Sequence, residues 1–362
     1  MSPVLSRARE FCGRFGLERP ILLAPMAGAC APSLSIAVMQ AGGLGACGAL
    51  SMSPAGIAAW AAEVRAGSGG PFQFNLWIPD PAPVRDPAKE REMRNFLGAW
   101  GPAVAETAGD ATPPDFAAQC EAILEAAPPI VSSVMGLFPA HFVERLKSNG
   151  IAWFANVSTV AEARAAEAAG ADAVVAQGME AGGHRGCFDQ AAAERQMVGL
   201  FALLPAIVDA VRIPVVATGG IADGRGVAAA LVLGASAAQI GTAFLRCPEA
   251  GIDPVWAEAL AHTAPEDTMI TRAFSGRAGR GIATAYLRAA AEPGAPASAS
   301  YPVQRGLTAA MRADAQKTGD LQRMQAWAGQ SAALGRSQPA SGMVRELWES
   351  ARALSTWVES PK

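Results

Sequence analysis

The residues best suited to chemistry fall in four short stretches, three at the ends of apolar runs and one within such a run. The densest is Gln177–Gly186, QGMEAGGHRG, which crowds glycines, one acid, one base and one histidine. A histidine in such a loop can act as a base or steady an anion; a packed or surface histidine is the plainer reading. The second stretch is Thr218–Arg225, TGGIADGR, followed by Gly241-Thr242-Ala243-Phe244. Glycines there let backbone approach a ligand and turn N–H groups toward a phosphate; tight turns without a ligand are the alternative. The third is Ala24-Pro25-Met26-Ala27-Gly28, a loop able to pass over a flat ring. The fourth is Asn75 inside the apolar run FQFNLW, whose amide must find partners if buried. It can meet a ligand or a neighbouring loop.

These stretches need a frame that gathers them. Apolar runs begin at residues 21, 44, 72, 130, 152, 173, 214 and 237, the last spanning Ala237–Leu245. Most lack strict alternation, as strands covered on both faces do. Ala-rich helical segments lie between them, including 33–41, 54–66, 159–169, 200–211 and 224–233. Strands alternating with helices predict a parallel sheet, and eight such units close into a (β/α)8 TIM barrel. A doubly wound open sheet is the competitor, but eight units crowd it. In a barrel, loops after strands form the catalytic face, and those after strands seven and eight often hold a phosphate. Residues 1–247 are expected to be the barrel, with a Pro-rich, charged insertion near 79–115. Residues 248–362 are expected to be a C-terminal helical cap over its mouth.

Composition narrows the function further. The 362 residues carry 29 basic and 32 acidic side chains, a net charge of −3, with no basic block. Nucleic acid and anionic membranes are therefore poor partners. Apolar runs break before membrane-spanning length, and residues 1–20 lack a signal peptide's apolar core, so a cytoplasmic protein is expected. Six scattered cysteines and three histidines show no zinc spacing; the thiols are expected to be reduced and no metal site is expected. Neither a P-loop nor a G-x-S-x-G elbow occurs. A phosphate-anchored organic cofactor on a barrel fits best.

The loop Gln177–Gly186 closely resembles the signature of nitronate monooxygenases, formerly 2-nitropropane dioxygenases. So do Ala24–Gly28, the Asn75 strand, Ala217–Ile221, Gly241–Leu245 and Thr271–Arg277. The resemblance covers about residues 20–335. It implies an FMN-dependent barrel oxidising alkyl nitronates (propionate 3-nitronate, for example) or nitroalkanes with O2, giving a carbonyl compound and nitrite. Carried over by motif, Pro25, Met26 and Ala27 would line the flavin ring. Asn75 and Gln177 would bond its polar atoms. Gly182, Gly183, Gly219, Gly220, Gly241 and Thr242 would follow the ribityl phosphate. His184 matches the active-site histidine, holding the nitronate and serving as base for a neutral nitroalkane. A monomer or homodimer is expected.

The chain also departs from the pattern. Many family members carry a Ser-Phe-His-Phe-Gly-like segment at strand four, where this chain has Ser132–Gly136, SSVMG, with Val134 in place of the histidine. The enoyl-acyl-carrier-protein reductase that uses FMN and NADH shares a similar Gly-Gly-His loop and is one alternative. A flavin-binding protein without turnover is another.

Overall fold

The computed structural model describes residues 3–355; Met1, Ser2 and the end of the expected cap, 356–362, lie outside the described residues. Eight strands form the central sheet: β1 (Ile21–Leu23), β2 (Gly45–Gly48), β3 (Phe72–Trp77), β4 (Ile130–Val134), β5 (Ala152–Val157), β6 (Ala173–Gln177), β7 (Val215–Thr218) and β8 (Ala237–Ile240). All pair in parallel in the order β1-β8-β7-β6-β5-β4-β3-β2. A parallel bridge between Leu22 and Leu44 brings β1 to β2 and closes the ring. The fold is a TIM barrel, as the apolar spacing predicts. Register sets the site: Asn75 lies opposite Ser132 and Gly48, and Gln177 opposite Thr218.

The surrounding helices start where their sequences dictate. Ser53 accepts from the Gly56 amide and Thr159 from Glu162, while Asp223 accepts from Arg225 and Gly226. Each cap satisfies amides that the first turn leaves open. One element was not anticipated. Pro3–Phe15 is a helix whose Phe11, Cys12 and Phe15 pack with Leu22, Leu44, Phe154 and Val216 inside the barrel's N-terminal end. The Phe15 ring meets Phe154 edge-on at 4.8 Å.

Three expected boundaries are corrected. β8 stops at Ile240 rather than running to Leu245; Thr242–Arg246 turns as a 3₁₀ helix after Gly241. The C-terminal helix Ala340–Ser355 does not belong to a cap. Its Met343, Val344, Leu347 and Ala351 join the barrel core, packed against the helices 224–232 and 32–40. It closes the barrel wall because its apolar residues recur on one helical face. The roof is instead built from two separate segments. Met93 and Leu97 of the insertion helix Pro87–Leu97 cluster with Phe274, Tyr286, Leu307 and Met311. A three-stranded antiparallel sheet, Thr268–Thr271, Gly279–Ile282 and Gly183–His184, joins this roof to the loop after β6.

Candidate active site

A cavity of about 400 Å³ lies at the C-terminal ends of the strands, under the roof. The twelve residues that the resemblance assigns to the cofactor or to catalysis all line it. Pro25, Met26 and Ala27 come from the turn after β1, Asn75 from β3 and Gln177 from the end of β6. Gly182, Gly183 and His184 come from the following loop, Gly219 and Gly220 from the turn after β7, and Gly241 and Thr242 from the turn after β8.

The turn after β1 is held from behind. The Met26 amide donates to Cys30 Sγ at 3.2 Å, and the Cys30 carbonyl accepts from Trp60 Nε1. Asn75 donates from Nδ2 to the Ser132 hydroxyl at 3.0 Å and the Ser132 carbonyl at 3.3 Å. Its carboxamide oxygen has no partner among the described residues. Gln177 is also bonded within the protein: Nε2 donates to the His184 carbonyl at 3.1 Å and Oε1 accepts from the Gly186 amide at 2.8 Å. It pins the loop that carries the histidine. Buried Arg185 does the same from below, donating to the Gly178 carbonyl at 2.7 Å.

The glycine turns make one end of the cavity. Gly219 and Gly220 sit at φ +109° and +69°, where an L side chain is strained. Their amides have no acceptor among the described residues, and adjacent outward-facing amides make an anion cradle. Gly182 allows a close crossing, since a Cβ there would lie 2.5 Å from the Gly329 amide nitrogen. That amide donates to Thr242 Oγ1 at 3.0 Å and ties the roof to the turn after β8.

His184 is only part-buried but lies under the roof. Trp77 and Trp327 meet its ring edge-on, with centroids at 4.8 and 5.0 Å. Its Nε2 lies 2.8 Å from Ser275 Oγ. Burial, and after it the charges of Arg277 and Arg305, push its pKa down to about 3, so the free ring is neutral at neutral pH. Arg277, 2% exposed, is paired with Asp80 of the insertion, Nε to Oδ2 at 2.8 Å and Nη2 to Oδ1. Its guanidinium lies over Trp77 and Tyr301. Arg305 also lines the cavity, and no side chain among the described residues pairs with its guanidinium.

Sequence reasoning missed Trp77, Ser275, Arg277, Arg305 and Trp327 as parts of the site. Ser275 and Arg277 lie in the segment Thr271–Arg277, which the family resemblance already marked, but their partners are far along the chain. Val134, where a histidine was expected, lines the cavity beside Met135, a non-glycine residue at φ +69°. Among the described residues no group of three or more His, Cys, Asp or Glu is placed to hold a metal.

A TIM barrel with a roofed cavity at its C-terminal face, an amide cradle at one end and a neutral imidazole on its wall, defines a barrel enzyme acting on a small ligand. The nitronate monooxygenase family model matches residues 11–350. A nitronate monooxygenase of Paraburkholderia phytofirmans is 42% identical over 92% of both chains. Another, of Pseudomonas aeruginosa, is 39% identical over 95% of this chain and 99% of its own. Nitroalkane oxidase from Streptomyces ansochromogenes superposes with a TM-score of 0.86 at 37% identity, covering 96% of this chain and all of that one. FabK from Thermotoga maritima superposes at 0.75 with 29% identity, over 97% and 98%. The chain belongs to the nitronate monooxygenase family and is an oxidoreductase.

Proposed function

We propose that the protein is an FMN-dependent monooxygenase that oxidises alkyl nitronates with O2 to a carbonyl compound and nitrite. The observation that carries this reading is the pairing, in one cavity, of the Gly219–Gly220 amide cradle with a neutral, aromatic-flanked His184. The cradle suits a phosphate, since two unpaired amides answer its oxygens. Pro25, Met26 and Ala27 would flank the ring, Asn75 would reach it with its free carboxamide oxygen's end of the side chain, and the turns at Gly182–Gly183 and Gly241–Thr242 would follow the ribityl chain. FMN, when bound, supplies the electron transfer between substrate and O2.

The chain's own residues do the remaining work. The roof over the cavity excludes water from the reacting centre. Arg277 and Arg305 give the His184 end a positive field that suits an anion. His184 holds the nitronate and, with a neutral nitroalkane, takes the proton from the carbon bearing the nitro group.

The test is an absorption spectrum followed by O2 uptake and nitrite release with propionate 3-nitronate and ethyl nitronate. A yellow protein that releases FMN on denaturation and forms nitrite is expected. A protein that binds no FMN on reconstitution overturns the reading. Anaerobic NADH separates the reductase alternative, because rapid flavin bleaching would assign it there; FMN binding without turnover of any nitronate would assign a non-catalytic role.

A further inference from the structure

We propose that Ser275 assigns the tautomer of His184, placing the ring proton on Nε2 and leaving the Nδ1 lone pair toward the cavity. The inference deepens the proposed function and rests on its reading of His184 as a proton acceptor.

Ser275, 1% exposed, has three polar neighbours around Oγ. His184 Nε2 lies at 2.8 Å, and the carbonyl and amide of Arg277 each lie at 3.3 Å. The amide can only donate, so it occupies one lone pair of Oγ. The hydroxyl has a single proton to give. The Arg277 carbonyl, in a residue 2% exposed, has no other donor among the described residues, and buried carbonyls take a partner. Giving the proton to that carbonyl leaves one lone pair on Oγ, which accepts from Nε2–H. A neutral imidazole has one N–H. Nδ1 is then bare, and it has no partner among the described residues while the ring lines the cavity. Trp77 and Trp327, edge-on to the ring, oppose a flip that would exchange the two nitrogens. The pair Asp80–Arg277 fixes the backbone that orients the hydroxyl. Ser275 is thus a positioning residue that acts through His184.

The chemistry follows from that tautomer. With a neutral nitroalkane the Cα–H bond breaks, its electron pair enters the C=N bond of the nitronate, and the proton forms an N–H bond at Nδ1. A nitronate that arrives preformed binds with uptake of one proton at the same atom.

The deciding experiment is ¹⁵N NMR of the FMN-loaded enzyme with labelled histidine. The chain has three histidines, so the His184 signals are those lost in His184→Asn. A protonated Nε2 and bare Nδ1 are expected in the wild type, with Ser275→Ala showing a mixture of tautomers and Ser275→Thr retaining the wild-type pattern. A proton on Nδ1 in the wild type, or a tautomer unchanged in Ser275→Ala, overturns the proposal. Kinetics add a second readout: Ser275→Ala is expected to lose about tenfold in kcat/KM on nitroethane, a part of the general-base contribution, and less on ethyl nitronate. Equal losses on both substrates overturn the proposal in favour of a purely structural role. Failure of the functional reading looks different, since a wild type inert toward every nitronate fails before any variant is made, and its NMR tautomer can still be read.

Discussion

The two mouths of the barrel are built on opposite terms. At the N-terminal mouth, Phe11 and Phe15 of the first helix fill the opening against Phe154, Leu22 and Val216, an apolar plug with its rings 4.8 Å apart. At the C-terminal mouth, glycine turns and bare amides leave a 400 Å³ cavity, and the side chains above it are a histidine, arginines and tryptophans. The strands between are continuous, yet one end is filled and the other kept open. The difference teaches that this chain fills one mouth with phenylalanines and, at the other, places small residues on the floor and keeps its tryptophans for the walls and roof. Barrels as a class separate stability from catalysis along the strand axis in this way.

Mutations at each mouth should therefore fail in different assays. At the C-terminal mouth, His184→Asn is expected to keep the yellow colour and the melting temperature while lowering turnover of neutral nitroalkanes by about 10²–10⁴, the range of a lost general base. Unchanged turnover in a nitroethane assay would remove the role given to His184. At the N-terminal mouth, Phe11→Ala is expected to cost about 3 kcal/mol of stability, as large-to-small core changes do, with KM for nitronate unchanged. A shift in KM would show that the two ends are coupled. Asp80→Asn, which leaves the Arg277 guanidinium short of its counter-charge, should cost about 1–2 kcal/mol, less than a fully buried pair because Asp80 is 30% exposed. Thermal melts and the KM for ethyl nitronate measure whether the roof loosens as well.

The remaining expected effect is confined to acid pH. An ordinary histidine binds its proton near 6.5, whereas folded His184 does so only near 3. Between those values the unfolded chain holds the extra proton, so stability falls as pH drops from about 6.5 toward 3. His184→Asn should flatten that part of a pH-stability curve. A curve that is unchanged by the substitution would show that the ring is not held neutral by the fold.

The sequence made the barrel legible because its strands announce themselves as short apolar runs at βα spacing. Pro25–Ala27, Asn75, His184 and the glycine turns were legible for the same reason: each lies in the C-terminal half of a strand or in the loop after one, and in a barrel those loops share one face. Strand ends were less clear. The run Ala237–Leu245 stays apolar past the point where Gly241 bends the backbone, so composition alone overran it. The strand Gly183–His184 was hidden because a glycine-rich pair carries no alternation. The roof's key contact joins Asp80 to Arg277, 197 positions apart, and no local pattern encodes it. The first helix was missed because its charged face, with Arg7, Arg9 and Arg14, dominates the composition of that stretch. The last was assigned to a cap because the strand rhythm had already stopped.

That first helix has a consequence for how the chain comes into being. Arg7 donates to the carbonyls of Leu231 and Ala235 at 2.7 and 3.1 Å, joining the beginning of the chain to its seventh βα unit. The helix Ala340–Ser355 then packs on that same unit from the far end. A ribosome must release most of the chain before the plug has a hole to fill or the wall its final stave. Such distant pairings slow folding, and they leave the nascent amino-terminal segment with its phenylalanines exposed throughout synthesis.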